Sequence, residues 1–124
     1  MSDTGRPKAG IAAMDVTREK IDGGVLLRVG GTVDIETSPV LRNDLQQLLK
    51  EGARTIVVSL EGADRVDTSG LATLVECAGR LSAAGGRLLA VGLRAKATDT
   101  HSLARIEGTL AMFDAEAEAL ANLK

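Results

Sequence analysis

Tryptophan and tyrosine are absent from this sequence, and Phe113 is its single aromatic residue, 1% of the chain. Hydrophobic residues nevertheless make up 44%, so the core must be aliphatic, and there is no aromatic platform on which nucleic-acid bases could stack. Strong charge of either sign is also lacking. The formal net charge is −2 without a basic run, which argues against nucleic acid or an anionic membrane as the main partner. One cysteine cannot form an internal disulfide, which fits a reducing cytosol. Cys77 lies beside an apolar helical stripe and reads as a small buried hydrophobe rather than a nucleophile. His101 is the only histidine. With no second His or Cys cluster near it, a zinc-type metal site is not expected, and His101 reads as a surface helix residue. Apolar runs long enough to cross a bilayer are missing, and Met1 to Ala13 lacks the charged-then-apolar order of a secretory signal. A cytoplasmic protein without membrane insertion is expected.

At 124 residues the chain is long enough for one domain with a core that needs no metal or disulfide staples. Residues 1–12, with Pro7, glycines and small or charged side chains, read as a disordered lead, and 13–124 as the domain. Asp15 to Ile21 and Val25 to Val29 flank Asp22-Gly23-Gly24, a hairpin signal because glycine accepts the positive φ of a tight turn. Ser38 and Pro39 read as the N-cap and first residue of a helix that buries Leu41, Leu45, Leu48 and Leu49 and runs up to Gly52. Thr55 to Leu60 is a buried strand, broken by Glu61 to Arg65. A second helix begins near Ser69, carries Leu71, Leu74, Val75, Ala78 and Leu81, and ends at Gly85-Gly86. Arg87 to Val91 is the next strand. Thr98-Asp99 can cap a short helix carrying Leu103 and Ile106, closed by Gly108. Leu110 to Phe113 reads as a last strand, and Asp114 starts a final helix with Glu116 and Glu118 near its positive end. Successive strand-helix-strand units imply parallel pairing. The fold class is therefore α/β, a mixed, mostly parallel sheet of about four to five strands with an N-terminal antiparallel hairpin and about four helices. No internal repeat or low-complexity tract is present.

The stretch Val66-Asp67-Thr68-Ser69-Gly70-Leu71 sets two hydroxyls between an acidic residue and a glycine where strand and loop give way to a helix. Thr68 or Ser69 would cap that helix by accepting from a first-turn N–H. Ser69 is the stronger candidate, being nearer the periodic residues, and this leaves Thr68 free. A second element, Gly31-Thr32-Val33-Asp34-Ile35-Glu36-Thr37-Ser38-Pro39, lies between a strand-like run and a helix. Loops at the C-terminal ends of parallel strands gather on one surface, so Asp34 and Asp67-Thr68 are expected to share it.

Together these two elements resemble the STAS domain family, the fold shared by bacterial anti-sigma factor antagonists and the cytoplasmic tails of sulfate transporters. The resemblance runs from about Met14 to Leu123, in the matching order of strands and helices. It departs at Thr98-Asp99, where the family often has Ser-Pro or Asn-Pro. In the antagonists, the hydroxyl residue directly after the motif Asp is phosphorylated by an ATP-dependent serine/threonine kinase that is itself the anti-sigma factor. By position that residue is Thr68, where many members carry Ser. The resemblance implies a binding module with no catalytic residues or cofactor. Unphosphorylated, it would sequester a histidine-kinase-like ATPase and release a sigma factor, and a serine/threonine phosphatase would reset the cycle. Its partner surface would comprise Asp34, Asp67, Thr68, Ser69, Gly70 and Leu71. Asp34 either shapes the phosphorylation pocket or simply bonds loop N–H groups. Phosphothreonine adds about 1.5 to 2 negative charges near neutral pH to a neighbourhood already holding Asp34, Asp64 and Asp67, so phosphate reads as an off switch.

Other members of the family supply competing readings: a stress-signalling scaffold, or an accessory subunit of a lipid-trafficking ABC transporter that binds its ATPase. An enzyme using Asp34, Asp67 and Thr68, such as a phosphotransfer receiver or hydrolase, would need clustered acids with a placed lysine, or a nucleophile-base pair. Lys96, His101 and Cys77 do not supply these.

Overall fold

The computed structural model describes residues 14–123, so the expected N-terminal lead, residues 1–12, lies outside the described residues. Strands β1 (Met14–Ile21) and β2 (Gly24–Val33) are followed by helix α1 (Ser38–Lys50), β3 (Thr55–Ser59), β4 (Ala63–Val66) and α2 (Thr68–Ala83). Then come β5 (Arg87–Val91), the single turn α3 (Leu93–Lys96), α4 (Thr100–Ile106), β6 (Ala111–Phe113) and α5 (Glu116–Ala121). The sheet runs β1-β2-β3-β5-β6, with β4 paired to β2 off that path. Among the described residues only the β1–β2 hairpin is antiparallel, turning at Asp22 and Gly23; every other strand pair is parallel.

Both faces of the central strands are covered, which is why they read as continuous apolar runs rather than alternating ones. Leu27, Val29, Ile56, Val58, Leu88 and Ala90 face the main core, with Leu41, Leu45 and Leu48 of α1 and Leu71, Leu74 and Leu81 of α2. Their neighbours Leu26, Val57, Leu89 and Val91 face the other way, onto Ala119 of α5, with Phe113 and Leu123 beside them. The core is aliphatic, as the composition requires.

In the sheet and at the starts of α1 and α5 the structure departs from the sequence reading, with Ala115 rather than Asp114 preceding α5. β2 does not stop at Val29 but continues through Gly30 and Gly31 to Val33. Gly31 takes φ +84° at a register shift, and that bulge re-aims the strand from β3 to β4. The supposed breaker Glu61 to Arg65 therefore holds most of a strand, β4, whose Ala63 and Val66 are buried while Asp64 and Arg65 are exposed. With β4 and α3 the sheet has six strands and the domain five helices among the described residues. Finally, the cap of α1 is Thr37 rather than Ser38, and Pro39 is the second helical residue, where its missing N–H still costs no intrahelical bond.

Candidate functional site

Val33 and Val66 pair at the ends of adjacent parallel strands, so Asp34 and Asp67 leave the sheet side by side. The Asp67 N–H donates to the Val33 carbonyl at 2.9 Å. A third segment joins them. Ala97 bridges to Val66, and the Thr98 N–H donates to the Val66 carbonyl at 2.9 Å. This brings Asp99 to the start of α2.

Asp34 works within its own loop. Its Oδ1 accepts from the N–H groups of Glu36 and Thr37, each at 3.0 Å. The Thr37 hydroxyl accepts from the Asp34 N–H at 2.9 Å and donates to the Thr32 carbonyl at 2.8 Å. Thr37 therefore occupies the cap position of α1 without capping it by its side chain. Burial works to raise the Asp34 carboxyl, but the N–H donors of Thr37 and Glu36 and the Thr37 hydroxyl outweigh it and hold the group below its ordinary value. Of the two roles considered for Asp34, bonding loop N–H groups is the one seen.

The cap of α2 is Asp67, neither Thr68 nor Ser69. Its Oδ1 accepts from the Ser69 N–H at 2.9 Å and the Gly70 N–H at 3.3 Å, the acceptor geometry an N-cap needs. The expectation that Ser69 caps is corrected by two residues. Helical dihedrals begin at Thr68, and extended backbone at Asp67 (φ −93°, ψ −172°) points the carboxylate, not a hydroxyl, at the open N–H groups. Ser69 is half-buried, and its carbonyl accepts from the Thr73 hydroxyl at 3.0 Å. Gly70 and Leu71 are buried, and Leu71 contributes to the lining of the groove beside Thr68. Thr68 is exposed.

The sequence reading treated Asp99 only as a helix cap, but here it touches the motif. It does cap α4, accepting from the Ser102 N–H at 3.0 Å and the Ser102 hydroxyl at 2.7 Å. Its Oδ2 also accepts from the Thr68 hydroxyl at 3.0 Å, across 31 positions of chain. The Ser102 hydroxyl and N–H, then the Thr68 hydroxyl, hold the Asp99 carboxyl down at about 2. Between α2 and α4 lies a groove of about 420 Å³, lined by Thr68, Ala72, Val75, Ser102 and Ile106 among others. Ile35, next to Asp34, and Val40, in the first turn of α1, are exposed hydrophobics. The sequence reading missed both, since Ile35 is an isolated apolar residue in a loop and Val40 lies off the buried stripe of α1.

Other chemistry is sparse. Burial pushes the Cys77 thiol up to about 11, and His101 is exposed on α4. Among the described residues, no group of His, Cys, Asp and Glu could hold a metal ion, and no helix is long and apolar enough to cross a membrane.

A family model described as "Mlab, STAS domain" matches residues 16–114, most of the chain, and the chain belongs to the STAS domain family. Among solved structures it is similar to an anti-sigma factor antagonist from Mycobacterium paratuberculosis, with a TM-score of 0.74 and 19% identity over 89% of this chain and 93% of that one. It is similar to the anti-sigma factor antagonist SpoIIAA in its unphosphorylated form, with a TM-score of 0.65 and 19% identity over 86% of this chain and 94% of that one. The phosphorylated form of SpoIIAA, described as a Bacillus cell fate determinant, gives a TM-score of 0.67 and 20% identity over 88% and 99%. These likenesses are likenesses of fold. Comparison with curated protein sequences finds no match.

Proposed function

We propose that this chain is an anti-sigma factor antagonist, a binding module switched by phosphorylation of Thr68. Unphosphorylated, it binds a serine/threonine kinase of the histidine-kinase-like ATPase fold that serves as the anti-sigma factor, and a sigma factor is released. Phosphate on Thr68 ends that binding, and a serine/threonine phosphatase restores it. The observation that carries this reading is the exposed Thr68 hydroxyl on the first residue of α2. Because Asp67 caps the helix, the backbone does not need that hydroxyl, and a kinase can modify it without unfolding the helix. Membership of the STAS family and the fold shared with anti-sigma factor antagonists, one of them in a phosphorylated form, support the same reading. Docking a partner over a phosphate flanked by Asp34, Asp67 and Asp99 would bury uncompensated charge, which costs several kcal/mol.

Capture of partners from the native host, with mass spectrometry of both partner and bait, tests this. A histidine-kinase-like ATPase is expected on the unphosphorylated bait, with phosphate at Thr68 in the fraction that has released the partner. A second reading, which membership of the STAS family leaves open, is that the chain is a STAS accessory subunit of a lipid-trafficking ABC transporter and binds its ATPase. An ABC ATPase captured with no phosphate at Thr68 would establish that reading in place of the first.

A further inference from the structure

We propose that Asp99 is the sensor of the Thr68 switch: it holds the free Thr68 hydroxyl, and when Thr68 carries phosphate it gives way together with the first turn of α4. This inference rests on Thr68 as the phosphoacceptor and adds the element through which the modification is felt.

The argument begins with the covalent change. Thr68 Oγ1 donates its proton to Asp99 Oδ2 at 3.0 Å. Phosphorylation turns that oxygen into an ester oxygen bonded to phosphorus, and its proton is gone. The bond to Asp99 is therefore lost whatever rotamer the side chain adopts. The phosphate cannot replace the donor, because with a second pKa near about 6 it is mostly a dianion at neutral pH. Asp99 is itself an anion there, so two anions face each other where a hydrogen bond stood.

Asp99 cannot retreat without consequence, because the same carboxylate caps α4. Oδ1 takes the Ser102 N–H, and Oδ2 takes the Ser102 hydroxyl along with that of Thr68. The chain just before it is pinned, with Ala97 bridged to Val66 and the Thr98 N–H bonded to the Val66 carbonyl. Displacement is thereby confined to α4. That helix has seven residues with Leu103 its one buried side chain, so it is too short to persist without its cap and its packing. It also forms one wall of the groove beside Thr68, so a change at Asp99 reshapes the surface next to the modified residue.

Amide hydrogen exchange over residues 100–106 of the full chain tests this with Thr68→Glu, Asp99→Asn and the double variant, and with enzymatically phosphorylated protein once the kinase is in hand. Asn is a good N-cap. Its carbonyl oxygen can keep the Ser102 N–H while its NH₂ group donates to a carboxylate or phosphate. Thr68→Glu should speed exchange in α4 by about 2- to 30-fold, the range that loss of a cap produces, and leave α1 and α5 unchanged. Thr68→Glu with Asp99→Asn should return α4 to the rate of Asp99→Asn alone, and phosphorylated protein should behave as Thr68→Glu does. Unchanged α4 exchange in Thr68→Glu, or equal loosening with and without Asp99→Asn, overturns the coupling. The variants need no kinase, so this can fail even where Thr68 proves to be the phosphoacceptor. Conversely, absence of phosphate on Thr68 after incubation with the captured kinase and ATP overturns the functional reading while the α4 response remains measurable.

Discussion

Gly70 in the first turn of α2 lies against Val33 at the end of β2 with no room for a methyl group between them. A Cβ on Gly70 would meet Val33 Cγ1 at 2.7 Å and Val66 Cγ1 at 2.6 Å. The glycine of the Asp67-Thr68-Ser69-Gly70 motif is therefore there for close approach: it lets the start of α2 rest on the strand ends that present Asp34 and Asp67.

Two glycines of the same helix should consequently respond in opposite directions. Gly70→Ala pushes a methyl into two core valines, and overpacking of about 1–3 kcal/mol outweighs the gain in helix propensity of about 1 kcal/mol. Gly79 has nothing within 4 Å of its would-be Cβ, so Gly79→Ala should stabilise by up to about 1 kcal/mol. Urea unfolding of the two variants compares them directly. A Gly70→Ala protein as stable as Gly79→Ala would contradict the close packing.

Asp67, not the hydroxyls, should carry the capping energy. Asp67→Ala is expected to cost about 0.5–2 kcal/mol, whereas Ser69→Ala should cost less because Ser69 contributes backbone groups to the cap and not its side chain. Denaturant midpoints at constant slope measure both. Equal losses at 67 and 69 would return the capping role to Ser69.

Acid sensitivity should be partly traceable to Asp99. Its folded carboxyl sits at about 2, against about 3.9 in an unfolded chain. As pH falls, the unfolded state takes up the proton first. The stabilisation is therefore fully present above about pH 4 and is lost as pH drops through about 2. Asp34 is shifted in the same direction. Unfolding midpoints followed across this window should fall less steeply in Asp99→Asn than in the parent. Parallel curves for the two proteins would remove Asp99 from the account.

At the proposed switch, Thr68→Ala should abolish phosphate incorporation by the captured kinase while keeping the fold, since it removes a hydroxyl from an exposed residue that does not cap α2. Thr68→Glu should weaken partner binding by about 1–3 kcal/mol, roughly 5- to 150-fold in Kd. Phosphopeptide mapping and titration of both variants decide this. Phosphate appearing on Ser69 would move the acceptor by one position.

Cys77 is buried and its thiol is pushed up to about 11. A thiol reagent should therefore label the native chain only as fast as the protein opens, with labelling accelerating in urea together with loss of structure. Immediate labelling at neutral pH would contradict its burial.

Features whose causes are local could be read from the order of residues alone. The hairpin follows from Asp22-Gly23, and Gly85, at φ +86°, closes α2 with the Gly86 N–H on the Leu81 carbonyl at 2.7 Å. The short helix α4 behind Asp99 was legible because capping and 3.6-residue periodicity act over a few positions. Tertiary structure decided what depends on contacts distant in sequence. β4 became a strand only because the bulge at Gly31 turned β2 toward it. The choice of Asp67 over Ser69 as cap depended on the extended backbone that leaves β4, which side-chain propensity does not encode. The contact between Thr68 and Asp99 needed Ala97 to be drawn against Val66 across 31 residues. No local pattern reports such a meeting, because it arises when separate strands are brought together over one aliphatic core.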